Sequence, residues 1–314
     1  MRVLSLIVLG ACAPGDPPEK TPVEDTAWLP EEAWEGVDVP TPRVIMEGLS
    51  DPQALAVGGG KLWVVEPGEG RVWTYEDGVS EVAIDGLQAP GRIAADEQGA
   101  VLIEGDSIIL IDEGDDPVTV AEGLFVPVAV GLDHQSIWWV DEGTGADGVV
   151  GRAARDGTAA ETVASGLESP RGLALSGEAA FVAEIGEWRV IKVVPGQSPV
   201  EVVSPSGTIS DVAADCEGVF WLTESSRWPY PGFVSTVDGS DEQRIAESPP
   251  EPDRLILAGT HVLWSTKQSI HSIPRQGGTF TTVAQRTAVG DLVVWGQSLI
   301  WSDPERGMVL AVGL

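Results

Sequence analysis

A chain of 314 residues with 49 acidic against 18 basic side chains carries a formal charge of −31. That excludes a nucleic-acid-backbone binder, which needs clustered Lys and Arg to release counterions. Hydrophobic residues at 43% and twelve tryptophans against two tyrosines supply the apolar mass of a large core.

The first residues read as a targeting segment. Met1-Arg2 is a short basic start, VLSLIVLG (3–10) is apolar, and Leu9-Gly10-Ala11-Cys12 follows. The apolar run is too short to span a bilayer as a helix. This pattern resembles the lipobox of bacterial lipoproteins; an ordinary secretory signal is the alternative. The resemblance implies cleavage after residue 11, a lipidated Cys12, stable anchoring by several acyl chains, and a cell-envelope address. Ala13 after the cysteine points to the outer membrane. Of the two cysteines only Cys216 remains for the fold, so no internal disulfide is expected. Its place between two apolar runs predicts a buried, inert thiol.

Residues 13–41 are rich in Pro and acidic residues and read as an extended tether, reaching roughly 90 Å if polyproline-like. Trp28 and Trp34 interrupt it, either docking on the folded body or forming a short recognition segment. The expected division is therefore 1–11 signal, 12–41 lipidated tether, and 42–314 folded domain.

From residue 42 onward the chain repeats. QALAVGGGKLWVVE (53–66) is the clearest of seven ungapped copies, which start at residues 53, 91, 128, 171, 211, 253 and 290. Each copy is two short apolar runs around a tight turn, a β-hairpin. A fixed period of this size marks a repeat architecture. A third apolar run follows every copy, and a fourth follows the first six. The missing fourth run stands at the other end of the domain, PRVIMEGL (42–49). The reading is an all-β fold: a single β-propeller of seven four-stranded antiparallel blades closed by an N-terminal strand. Strands such as LWVVE and IWWVD, apolar on both sides, fit blades packed on both faces. The tryptophans near the end of each copy are expected between blades.

Ile300-Trp301-Ser302-Asp303 and Trp138-Trp139-Val140-Asp141 resemble the YWTD motif. The stretch 161–174, ETVASGLESPRGLA, is similar to the inter-blade segment of YWTD and NHL propellers. The resemblance implies the same fold over 42–314. Those families are usually six-bladed, which leaves six blades as the alternative count.

Six of the seven copies end in a carboxylate: Glu66, Glu104, Asp141, Glu184, Glu224 and Asp303, with Thr266 the exception. The resemblance implies a capping role that ties adjacent blades. The alternative is a set of oxygen ligands for Ca²⁺. No cofactor other than that Ca²⁺ is expected, and no metal ligands are assigned. HExxH, GxSxG, paired cysteines and phosphate loops are all missing, so a binding module is favoured over an enzyme. The competing reading is a metal-dependent hydrolase or lyase with its site at the central channel. Some six-bladed propellers do such chemistry with Glu, Asn and Asp, but this chain contains no Asn.

The loops between second and third strands and the loops between blades should share one face. There the sequence places Glu142, Asp147, Glu187 and Asp253 beside Arg92, Arg171 and Arg254, and the long loops 142–148 and 225–232. Trp228 and Tyr230 in the second loop offer rigid aromatic surface. Glu142, Asp147, Arg171, Glu187, Trp228 and Tyr230 are the candidate contact residues, for a monomer that binds a protein, peptide or glycan.

Overall fold

The computed structural model describes residues 39–111, 116–205, 207–224, 232–238 and 241–314. They form seven four-stranded antiparallel sheets, each a blade. Blade 1 consists of Ala54–Gly58, Lys61–Glu66, Arg71–Glu76 and Val79–Ile84. Blades 2 to 6 repeat this plan, their innermost strands being Pro90–Asp96, Pro127–Leu132, Pro170–Ser176, Thr208–Ala214 and Pro252–Ala258. Blade 7 has only three sequential strands, Leu292–Trp295, Ser298–Asp303 and Met308–Gly313, and Arg43–Glu47 supplies the fourth. That strand pairs Arg43 with Ala311 and Glu47 with Met308, with a bulge between Val44 and Met46. The count of seven and the closing strand both match the repeat arithmetic.

The apolar side chains fall into seven clusters, and each cluster lies between two neighbouring blades. The second strands show why they are apolar throughout. In Lys61–Glu66, Trp63 and Val65 pack toward blade 2, whereas Leu62 and Val64 pack toward blade 7. Successive side chains point to opposite faces of a strand, and here both faces are interior. In blade 3, Trp138 faces blade 4 and Trp139 faces blade 2. Trp139 has room only because its cross-strand partner is Gly151, where a Cβ would lie 2.1 Å from the indole. Trp138, Trp221, Trp264 and Trp301 are among the largest fully buried side chains. Six of the seven seams contain a buried tryptophan. The closing seam, between blades 7 and 1, uses Met46, Leu55, Leu62, Val64, Ile300, Val309 and Ala311 instead.

Cys216 departs from its expectation. It is exposed, because the two apolar runs around it are strands joined by the turn that carries it. The Asp215 carboxylate closes that turn by accepting the amides of Glu217 at 2.9 Å and Gly218 at 3.2 Å. Cys12, the tether up to residue 38 with Trp28 and Trp34, and the loop residues Trp228 and Tyr230 lie outside the described residues.

Candidate functional site: the loop face and the channel mouth

The carboxylates that end the repeat serve the scaffold. Glu66 accepts the amide of Ser50 at 2.5 Å, Glu104 that of Gln88 at 2.6 Å, and Glu184 that of Glu168 at 2.7 Å. Asp141 accepts the amides of Phe125 and Val126 at 2.8 and 2.7 Å. Asp303 accepts the Thr287 hydroxyl at 2.8 Å, and its cation partner is Arg306. Each therefore fixes the loop by which the chain crosses from one blade to the next. Charge-assisted bonds to a buried carboxylate are the strong kind. Glu224 is the exception, a partly desolvated side chain whose carboxyl is raised first by that desolvation and then by the neighbouring charges of Asp253 and Glu251.

Four of the candidate contact residues come together around blades 3 and 4. Arg171 donates to Glu142 through Nε and Nη2, at 3.1 and 3.0 Å. The Glu142 amide donates to the Val126 carbonyl at 2.9 Å. Asp147 holds its own loop, accepting the Thr144 amide at 2.6 Å and hydroxyl at 2.8 Å, and these bonds keep its carboxyl below the usual range. That loop reaches the next one through Ser169, whose amide donates to Gly145 O. Ile185 donates in turn to Ser169 O, and Trp188 donates to Ile185 O. Glu187, exposed, sits inside this last turn.

Two apolar features of the same region stand beside the charged candidates. Phe125 and Val126 are 67% and 40% exposed, and Trp188 is 54% exposed. Trp188 also has a left-handed backbone, φ 54°. The equivalent turn residues in blades 1 and 7 are Gly70 and Gly307, at φ 65° and 62°. The signal was present as GEGR (68–71) against GEWR (186–189). Likewise the Gly-Leu-x-x-Pro element reads Ser-Asp, Gln-Ala and Glu-Ser at its variable positions in three copies, but Phe-Val at 125–126.

At the mouth of the central channel the repeat is broken by charge. The second residue of the motif is Ala54, Ala129, Gly172 and Val212 in four blades, but Arg92, Arg254 and Asp291 in the others. Arg254 Nε donates to Asp291 Oδ1 at 3.0 Å, and its Nη1 lies 3.4 Å from Asp211 Oδ2. Asp291 also accepts the Leu55 amide at 3.1 Å, and Asp211 the Leu255 amide at 2.8 Å. Arg92 Nη1 stands 3.6 Å from Asp291 Oδ2. Burial works to lower Arg254, but Asp291 and Asp211 outweigh it and leave it raised. Arg92 is lowered, first by its neighbour Arg254 and then by burial. Asp211 is raised by burial against the pull of Arg254.

This donor set does not suit a hard cation. Five of the six repeat carboxylates are spent on backbone amides, and a guanidinium already occupies the space between the two channel carboxylates. Among the described residues no group of three or more His, Cys, Asp or Glu could hold a metal ion.

The sequence matches no protein-family model and no curated protein. Several solved structures are similar in fold. YCF48 bound to a D1 peptide superposes with a TM-score of 0.68 at 10% identity, covering 88% of this chain and 98% of that one. A gluconolactonase from Xanthomonas campestris gives 0.57 at 16% identity, with 88% and 96% covered. Regucalcin from Agrobacterium tumefaciens, a calcium-binding protein, gives 0.52 at 11% identity, with 87% and 94% covered. At such identities these likenesses establish the β-propeller fold and nothing further.

Proposed function

We propose that this chain is a binding module of the bacterial cell envelope, anchored through a lipid on Cys12, whose loop face engages a protein or peptide. The observation that carries the reading is Trp188. A left-handed backbone costs a bulky residue on the order of 1–2 kcal/mol, and blades 1 and 7 avoid that cost with glycine. A half-exposed indole kept in that conformation is strain held at a contact site. Phe125 and Val126 are further exposed apolar residues of the inter-blade loops, and Trp228 and Tyr230, outside the described residues, are candidate anchors by sequence alone. Asp147 and Glu187 would give it a negative field that speeds encounter with a cationic partner and weakens with salt. A propeller of this fold with a peptide bound, the YCF48 complex, is consistent with the reading.

The test is Trp188→Gly, scored for both folding and capture of a partner by crosslinking in the native envelope. The reading expects stability at or above that of the natural chain and loss of capture. A drop in stability with capture unchanged would sink it. For the anchor, Cys12→Ser should abolish palmitate labelling and release the chain; unchanged labelling refutes it. A second reading, a Ca²⁺-dependent hydrolase at the channel, draws on the gluconolactonase and regucalcin likenesses. The guanidinium between Asp211 and Asp291 stands against it.

A further inference from the structure

We infer that Arg92 and Arg254 together form a binding site for a small oxyanion, carboxylate or phosphate, at the loop-face mouth of the central channel.

The geometry across the mouth is the first argument. Arg92 belongs to blade 2, yet its ion partner Asp291 belongs to blade 7. Blade 1 lies between them, so the Arg92 side chain reaches across the opening instead of into a seam. Arg254, from blade 6, arrives from the other side and is held by Asp211 of blade 5 and Asp291 of blade 7. Two cations are thereby brought close enough for mutual repulsion to be the largest influence on Arg92.

Unused hydrogen-bonding capacity is the second. A guanidinium presents its N–H donors in a fixed fork that matches carboxylate and phosphate oxygens. Among the described residues the side-chain hydrogen bond of Arg254 is the one to Asp291, and Arg92 makes none. The buried side-chain atoms without partners belong to Arg155, Ser210, Trp221 and Arg275, not to Arg92 or Arg254. The idle donors at the mouth therefore reach solvent, and the side chains remain 35% and 24% exposed.

A purely structural role accounts for only half of this. Arg254 can serve as a lock between blades 5, 6 and 7, since it neutralises two buried carboxylates. Arg92 adds little to such a lock: its single ion pair is long, it makes no hydrogen bond, and it sits against a like charge. An oxyanion bridging the two guanidiniums would use the idle forks and relieve the repulsion. Four of the seven blades place a small or apolar residue at this motif position, so the ring does not need charge there to close.

The test is calorimetric titration of the folded chain with citrate and, separately, with inorganic phosphate, using the natural sequence, Arg92→Gln and Arg92→Lys. Binding of either anion is expected. Its Kd should weaken about ten-fold or more in Arg92→Gln, the loss of a charge-assisted bond. Arg92→Lys should fall between, because it keeps the charge and loses the fork. Citrate binding without phosphate binding identifies a carboxylate site, and the reverse a phosphate site. Absence of binding by both up to roughly 10 mM, weaker than any useful recognition, overturns the proposal. So does an unchanged Kd in Arg92→Gln. Trp188→Gly should leave the anion titration intact, so the two sites fail or stand separately.

Discussion

Asp303 and Asp291 belong to the same blade, and both are buried, yet they answer to different demands. Asp303 occupies the motif position that holds a carboxylate in six of seven copies, and it fixes the loop entering its blade. Asp291 occupies a position that is small or apolar in four blades, and it faces two arginines at the channel mouth. Charge that keeps the period belongs to the scaffold. Charge or aromatic surface that breaks the period and also reaches solvent marks a place where something outside the chain is met.

The largest expected effect tests the scaffold half of this contrast. Deleting 42–49 removes the outer strand of blade 7 and Met46 from the closing seam. The buried apolar strand Met308–Gly313 then becomes the outer edge of a three-stranded blade, and a loss on the order of 5 kcal/mol or more is expected from denaturant unfolding. Removing 14–36 instead should leave the melting temperature in place; equal losses would break the assignment of the closing strand.

Arg254→Met comes next. It strands Asp211 as a buried charge without its cation and leaves Asp291 only its longer contact to Arg92, a loss of about 3–5 kcal/mol. A near-neutral result would mean that the two carboxylates find other compensation, and the lock would be discarded.

His271 sharpens the rule, because it breaks the period and yet is buried. It packs against Trp264 and Phe280, with ring nitrogens 2.8 Å from the Ser269 hydroxyl and 3.3 Å from that of Thr282. Burial lowers its pKa to about 3. The folded state then excludes a proton that the unfolded chain takes up below its ordinary value near 6.5. Stability from this residue is fully present above that value and is lost progressively as pH falls toward the folded pKa. The loss should reach about 2 kcal/mol at pH 5. The difference in unfolding free energy between pH 8 and pH 5, compared with that of His271→Gln, isolates the contribution. The variant should be less pH-sensitive by that amount, and equal sensitivity refutes the burial argument.

The smallest effect belongs to the exposed Glu142–Arg171 pair. Glu142→Gln should change stability by no more than about 0.5 kcal/mol. A large loss would move this pair from the binding face into the scaffold.

The fold was legible because repetition multiplies weak signals. One hairpin pattern such as GDLVVWGQSLIWSD says little alone, but seven copies and a displaced strand at 42–49 define the ring. The capping role of Glu66 or Asp303 was legible for the same reason. The candidate site was only half legible. Glu142, Asp147, Arg171 and Glu187 are readable as loop residues, and the structure sets those loops on the neighbouring blades 3 and 4. Trp188 was overlooked although GEWR can be set against GEGR, because its meaning depends on a backbone angle. Asp211 and Asp291 were overlooked because their partners come from other blades, and no local pattern records which innermost strands meet across a channel. Cys216 was misplaced because apolar flanks do not reveal that a residue is the turn between them.

The central contrast is tested most directly by measuring unfolding free energies of Asp303→Asn and Arg92→Gln under identical conditions. Asp303→Asn keeps the shape and removes the charge that Thr287 and Arg306 bond to, so about 1.5–3 kcal/mol should be lost. Arg92→Gln should stay within about 0.5 kcal/mol of the natural chain, as a solvent-reaching residue with one long ion pair does. If Arg92→Gln costs as much as Asp303→Asn, the mouth arginine is scaffold, and the distinction between periodic and aperiodic charge fails.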